Sequence, residues 1–132
     1  MDITVIVPTL NEEKSIESCL KSIRSQDTSH DYEVIVSDSG SRDRTTEIAE
    51  KYVDKIVASR KGIAPARNTG AEYARGDFLV FIDADTIIPK NYLEKVMEKF
   101  TVDPGLLAFS AGFTFSNRDN RLIFIEKIIN SY

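Results

Sequence analysis

The stretch Phe78-Leu79-Val80-Phe81-Ile82-Asp83-Ala84-Asp85 sets five apolar residues directly before two carboxylates that are separated by one small residue. Such a run is too short for a helix, and its branched and aromatic side chains predict a buried strand. The strand then delivers Asp83 and Asp85 to a sheet edge. Paired hard oxygens suit Mg²⁺ or Mn²⁺, which keep several waters and take further oxygens from phosphates. In an arbitrary loop an Asp-x-Asp would read as a solvated turn; the preceding strand changes that reading.

Working outward, further strand-like runs occupy residues 3–7, 33–37 and 55–58, with a weaker one at 106–115. Between them lie helical periods. Ile16, Cys19, Leu20 and Ile23 form one apolar stripe, and Thr45, Ile48, Ala49 and Tyr52 form another. Asn11 reads as the N-cap of the first helix, with Glu12 and Glu13 complementing its dipole. Pro65 reads as opening a short helix that reaches Ala74 and is closed by Gly76, with Gly70 weakening it. Pro89 reads as the first residue of a helix carrying Tyr92, Leu93, Val96, Met97 and Phe100 on one side. Tyr73 and Phe100 are expected in the core, and His30 is expected solvated in a polar loop. Residues 121–132 read as an interrupted apolar helix in need of a cover, by a partner domain or a second copy. Strands alternating with helices predict an α/β fold, a largely parallel twisted sheet with helices on both faces and right-handed crossovers.

A length of 132 residues with 42% hydrophobic content allows one domain, 1–132, with a real core. The net charge of -4 gives no electrostatic reason to expect nucleic acid as a partner. The single cysteine, Cys19, excludes a disulfide framework and fits a reducing, cytoplasmic setting. Neither a secretory signal nor a membrane span is expected.

Polar residues gather where the strands end: Pro8, Thr9, Asn11 and Glu12 after the first, Asp38 to Asp43 after the second, Arg60 to Arg67 after the third, Asp83 and Asp85 after the fourth. In an open parallel sheet these loops converge on the crevice where ligands bind. Asp38 reads as functional, whereas Asp43 and Thr45 read as helix caps. Arg67 either offers a cation to a diphosphate or bridges its loop to Asp83 or to backbone. No Gly-x-Gly-x-x-Gly follows the first strand, which ranks a dinucleotide-dependent oxidoreductase low, and the missing glycine-rich phosphate loop argues against a nucleotidyltransferase.

Four ordered motifs resemble family 2 glycosyltransferases of the GT-A fold: Val-Pro-Thr-Leu-Asn-Glu-Glu at 7–13, Val-Ser-Asp-Ser-Gly-Ser-Arg-Asp-Arg-Thr at 36–45, Ala-Arg-Asn-Thr-Gly at 66–70, and Phe-Ile-Asp-Ala-Asp at 81–85. The resemblance implies a Rossmann-like GT-A domain that binds a nucleotide-diphospho-sugar donor through Mn²⁺ or Mg²⁺ for inverting transfer to an acceptor hydroxyl. It implies that Pro8, Thr9 and Glu12 line the nucleoside site, that Asp38 lies beside the base and Arg67 near base or diphosphate, and that Asp83 and Asp85 form the metal motif. Asp85 would be the more direct ligand, and Asp83 would reach the ribose or a metal-bound water. Two departures stand out. Ser39 replaces a second aspartate that helps many members recognise uracil, which leaves the base open. The family's acceptor-binding half, with its catalytic carboxylate, has no counterpart after Phe115, so the base is unassigned and a non-catalytic nucleotide-binding module is the alternative. The acceptor is unidentified; a lipid-linked one would place the chain at the cytosolic membrane face.

Overall fold

The computed structural model describes the backbone of residues 1–115 and 122–129, and side chains through residue 108. The chain forms two compact units, Met1–Lys95 and Val96–Tyr132.

The first unit is built on four parallel strands, β1 (Ile3–Thr9), β2 (Tyr32–Asp38), β3 (Lys55–Ala58) and β4 (Phe78–Phe81), in the order β3-β2-β1-β4. Ile3 to Thr9 pair in register with Tyr32 to Asp38 on one side, and Ile3 to Ile6 pair with Phe78 to Phe81 on the other. Helices α1 (Ile16–Arg24), α2 (Thr45–Ala49) and α3 (Ile63–Glu72) connect them. All seven residues of β1 are buried. Because successive side chains point to opposite faces, burial of both the Ile6 and the Val5–Val7 rows means that both faces of this strand are covered. The expected parallel α/β fold is therefore the one observed.

Strand order decides where a ligand can sit. The chain steps from β1 to β2 to β3, then returns to β4 on the far side of β1, so the direction of winding reverses between β1 and β4. Right-handed crossovers send helices to opposite faces on either side of such a point, and a crevice opens beyond the carboxyl ends of the two strands. Close approach of α3 to β1 depends on Gly70, since a Cβ there would come within 2.4 Å of Ile6 Cγ2. Gly70 is thus a packing requirement of α3 rather than a flaw in it.

Several boundaries differ from those the sequence suggests. Asn11 is not the N-cap of α1: it takes a left-handed φ of 52°, and the cap is Ser15. The amide of residue 11 is engaged by a neighbouring loop, which delays the helix. Helix α3 begins at Ile63 behind Gly62, leaving Pro65 in its first turn, where its missing N–H costs nothing. It ends at Glu72, short of Ala74. Pro89 precedes α4 (Tyr92–Val102), which starts a turn later than expected, and its carbonyl accepts from the Tyr92 amide. Tyr73 is 50% exposed with Lys55 Nζ 5.2 Å from its ring centre, and is no core residue. Phe100 is half-buried. His30 is half-buried too, with Nδ1 3.3 Å from the Asp2 carboxylate. β4 is not buried on both faces: Val80 and Ile82 are, whereas Leu79 and Phe81 are 41% and 42% exposed. It is the outer strand of its sheet.

In the second unit, β5 (Ala108–Phe115) and β6 (Leu122–Ile129) pair antiparallel, with Gly112 opposite Ile125 and Phe115 opposite Leu122. The apolar helix expected over 121–132 is not formed, and the oligomer or partner-domain contact expected through it loses its basis. Four isoleucines among eight residues favour an extended chain, because a β-branched side chain is restricted by the preceding helical turn. Arg121 and residues 130–132 lie outside the described residues.

Candidate functional site

A crevice of about 360 Å³ opens at the carboxyl ends of β1 and β4. Pro8, Thr9, Leu10 and Glu12 line it from the end of β1, Ser39 from the end of β2, Gly62, Ile63 and Ala66 from the start of α3, and Asp83, Ala84 and Asp85 from the end of β4. Five of the seven residues singled out in the sequence, Pro8, Thr9, Glu12, Asp83 and Asp85, face this one space. Asp38 and Arg67 stand behind it, each bonded to a lining residue. Ala66 enters the sequence reading only within a motif and Ile63 falls outside the helix expected to start at Pro65, so neither is read there as lining the crevice. With the start at Ile63, spacing i and i+3 puts both on the crevice side.

Asp83 and Asp85 belong to a tight turn in which the Thr86 amide donates to the Asp83 carbonyl at 2.9 Å. Ile82 is the last residue tied to the sheet, its amide donating to Ile6. Ala84 is buried and both carboxylates are exposed. Arg67 Nη2 lies 3.2 Å from Asp83 Oδ1, while Asp85 accepts no hydrogen bond from any described residue. A pair of hard anionic oxygens with one member unpartnered fits a hard divalent cation. No third His, Cys, Asp or Glu gathers with them among the described residues, so the remaining positions of an octahedral ion would fall to water and to oxygens of a bound ligand. Beside them, the ten-residue helix α3 begins at Ile63, capped by Gly62, with first-turn amides that its own hydrogen-bond ladder leaves unpaired, a setting that favours an anion.

Asp38, read from the sequence as functional, is ringed by donors of its own chain. It is 7% exposed. Oδ1 accepts from Thr9 Oγ1 at 2.8 Å and Ser41 Oγ at 2.6 Å, and Oδ2 accepts from the Gly40 and Ser41 amides at 3.0 and 2.8 Å. A carboxylate has about four acceptor positions, and the protein's own donors fill them. Burial alone would push this carboxyl up; the bonds from Ser41, Thr9 and Gly40 outweigh it and hold the group below the ordinary carboxylate range.

The same network fastens two loops together. Consecutive amides of Asn11, Glu12 and Glu13 donate to Ser41 Oγ, Thr45 Oγ1 and Asp43 Oδ2 at 2.8, 2.8 and 3.2 Å. In return, the Arg42 amide donates to Asn11 Oδ1 and the Arg44 amide to Glu13 Oε2. Asp43 also accepts from the Thr45 amide, but the N-cap of α2 is Arg44, without a side-chain bond, so the capping expected of Asp43 and Thr45 is not what is formed: their side chains are drawn to the amides of the Asn11–Glu13 loop instead. Glu12 is thereby held by its backbone, with its own carboxylate at the crevice and 3.0 Å from Ser15 Oγ. Ser39 Oγ lies 3.0 Å from Ser59 Oγ and donates to the Arg60 carbonyl, so its hydroxyl is occupied within the protein.

A parallel sheet wound in this order, with a crevice at its reversal point and an acidic turn beside it, defines a Rossmann-like α/β unit of the GT-A kind. Residues 4–127 match the family described as Glycosyl transferase family 2, and the chain belongs to that family. Among curated relatives, it is 37% identical over 102 residues to the poly(ribitol-phosphate) beta-N-acetylglucosaminyltransferase TarS of Staphylococcus aureus, a match covering 71% of this chain and 18% of the relative. It is 33% identical over 124 residues to the glycosyltransferase AglE of Haloferax volcanii, covering 87% of this chain and 41% of the relative. Among solved structures, the mannosyltransferase PcManGT of Pyrobaculum calidifontis in complex with GDP-Man and Mn²⁺ superimposes with a TM-score of 0.72 at 35% identity, over 79% of this chain and 33% of that one. TarS 1-349 of S. aureus in complex with UDP-GlcNAc superimposes with a TM-score of 0.69 at 32% identity, over 77% of this chain and 32% of that one. The chain spans less than half the length of these relatives. No helix among the described residues is long and apolar enough to cross a membrane.

Proposed function

We propose that the crevice binds a nucleotide-diphospho-sugar with Asp83 and Asp85 directed at its diphosphate through Mn²⁺ or Mg²⁺, and that the chain forms the donor side of an inverting glycosyltransferase. The observation that carries this reading is the meeting of Asp83 and Asp85 with Pro8, Thr9 and Glu12 around one crevice at the sheet's reversal point. Support comes from the neighbours: PcManGT is solved with GDP-Man and Mn²⁺, and TarS with UDP-GlcNAc.

Under this reading Pro8 and Thr9 flank the nucleoside, and Glu12 faces its ribose or base. Asp38 acts through Thr9 and the loop carrying Ser39. Arg67 and the unpaired amides at the start of α3 stabilise negative charge on the diphosphate as it departs, which is where developing charge repays preorganised donors most. A bound divalent cation supplies Lewis-acid stabilisation of that same leaving group. The acceptor hydroxyl attacks the anomeric carbon opposite the diphosphate and inverts it, and a carboxylate base belonging to the acceptor side takes its proton. With Ser39 where a second aspartate is common, and its hydroxyl turned to Ser59 and Arg60, the nucleobase is a matter for direct test.

Calorimetry of the 132-residue chain with UDP-, GDP- and dTDP-sugars, with and without Mn²⁺, provides it. At least one donor binds about tenfold more tightly with Mn²⁺, and Asp85→Ala abolishes the difference, as expected when a directly coordinating oxygen is removed. No Mn²⁺-dependent binding by the wild type, or unchanged binding by Asp85→Ala, overturns the reading.

A further inference from the structure

Residues 82–91, which carry both aspartates, contain no helix or strand. The last ladder bond to the sheet is at Ile82 and the next helix starts at Tyr92. Something else must fix this segment, because an unsupported loop would spend binding energy on being ordered. Residues of α1 and the two residues after its C-cap reach this segment at four points and the first turn of α4 at a fifth. Cys19 Sγ donates to the Asp83 carbonyl at 3.5 Å. Ser22 Oγ accepts from the Ile88 amide at 3.1 Å. Gln26 Nε2 donates to the Pro89 carbonyl at 2.6 Å, and its Oε1 accepts from the Leu93 amide at 2.9 Å. The Asp27 amide donates to the Lys90 carbonyl at 2.7 Å. Positions 19 and 22 share one face of α1, and Gln26, just past the helix end, continues the same line of contacts along the loop. Ala84 and Ile88, both buried, pin its apolar residues between these bonds.

We propose that Ser22 and Gln26 are positioning residues for the Asp83–Asp85 turn: they hold the returning chain so that Asp85, whose carboxylate accepts no hydrogen bond from any described residue, keeps one orientation before any cation arrives. This rests on the donor-site reading above. Ser22 suits the task because its hydroxyl also donates to the Cys19 carbonyl at 2.7 Å, which orients the lone pair toward Ile88. Gln26 suits it because an amide can donate and accept at once. Removal of groups that orient metal ligands commonly weakens metal affinity about tenfold or more.

The test compares wild type with Ser22→Ala, Gln26→Met and the hydroxyl-retaining Ser22→Thr, with Thr4→Val at the amino end of β1 as a control for general destabilisation. In metal-free protein, amide hydrogen exchange at Ile88 and Leu93 is measured; Mn²⁺ affinity is then measured in the presence of UDP and, separately, GDP. Ser22→Ala speeds exchange at Ile88, Gln26→Met speeds it at Leu93, and each weakens Mn²⁺ binding about tenfold while metal-free nucleotide affinity stays within twofold. Ser22→Thr restores both readouts, and Thr4→Val at matched loss of Tm leaves Mn²⁺ affinity within twofold. Faster exchange with Mn²⁺ affinity unchanged, or loss in proportion to Tm alone, overturns the proposal. Absence of Mn²⁺-dependent binding in the wild type overturns the donor-site reading itself, so the two failures are distinct. Should Gln26→Met fail to fold, Ser22→Ala and Ser22→Thr decide the matter.

Discussion

Arg67 Nη2 lies 3.2 Å from Asp83 Oδ1 while its Nε, buried, has no hydrogen-bond partner among the described residues. The guanidinium is thus only partly used. Both partners are well exposed, at 41% and 55% of their side chains, so the pair adds at most about 1 kcal/mol to stability. Under the proposed donor-site reading, the exposed end of the guanidinium is what remains for a bound diphosphate. Arg67→Met is expected to leave the midpoint of urea unfolding nearly unchanged and to weaken nucleoside diphosphate binding about tenfold, the scale of one lost charge-assisted contact. Arg67→Lys, which keeps the charge without the fork, recovers only part of it. Equal binding by wild type and Arg67→Met in calorimetry would show that the arginine serves Asp83 alone.

Ser37 tells a different story in the middle of the sheet. It is fully buried on β2, between Pro8 of β1 and Val57 of β3 in register, and its hydroxyl has no partner among the described residues. An unsatisfied buried hydroxyl costs about 1–3 kcal/mol, more than the packing lost with one oxygen atom. Ser37→Ala is therefore expected to raise stability by about 1 kcal/mol in urea denaturation. A loss of similar size would mean that the hydroxyl bonds something in solution.

At the opposite end of the strands, Glu33 is 4% exposed and accepts from Thr4 Oγ1, the Arg75 amide and the Arg75 guanidinium, each at 2.8 Å. Burial alone would raise its carboxyl; the bonds from Arg75 and Thr4 outweigh that and hold it below its ordinary 4.5. A depressed folded value means that the unfolded chain takes up the proton first. The stabilisation is complete above about pH 5 and is lost as the pH falls through 4.5 toward the folded value. Asp38 and Asp54 are depressed likewise, so the acid limb is shared. Glu33→Gln lowers stability at neutral pH and flattens the fall between about pH 6 and about pH 3 in chemical denaturation. An unchanged slope would show that Glu33 titrates normally in the fold.

Strand runs and the polar clusters at their ends were readable because burial and period leave a direct mark on composition, as in residues 3–7 and 78–82. Loop geometry was not. Asn11 carries a side chain common at caps, yet a left-handed backbone turns it toward Ser41 and Arg42. Ser, Thr and Asp are chosen for caps, turns and ligand sites alike, so nothing in 38–45 separated the carboxylate that ties loops together from one free to meet a ligand. Only the four donors around Asp38 did. The contacts of Cys19, Ser22 and Gln26 were hidden for a related reason: their partners are backbone groups some 63 to 67 residues away. Residues 122–129 misled because apolar residues on most positions fit a helix and a strand equally, and only the β-branched majority pointed to the latter.

Gly70 sits where two preferences collide. In a helix interior, alanine is favoured over glycine by about 1 kcal/mol. Here the new Cβ would lie 2.4 Å from Ile6 Cγ2, a methyl of a β-branched residue in the fully buried central strand, with little freedom to turn aside. Overpacking of this kind costs about 1–3 kcal/mol, so the clash wins and Gly70→Ala is expected to destabilise by roughly 1–2 kcal/mol in urea unfolding. Relief comes from the strand side. Ile6→Leu moves the branch away from Cβ and removes Cγ2, so it should cost less in the Gly70→Ala background than alone, a coupling of at least about 0.5 kcal/mol. Because α3 also presents Ile63 and Ala66 to the crevice, displacement of the helix in Gly70→Ala should weaken nucleotide binding in calorimetry, and Ile6→Leu should recover part of it. Additive stability changes in the double variant would mean that α3 does not press on β1 through this contact.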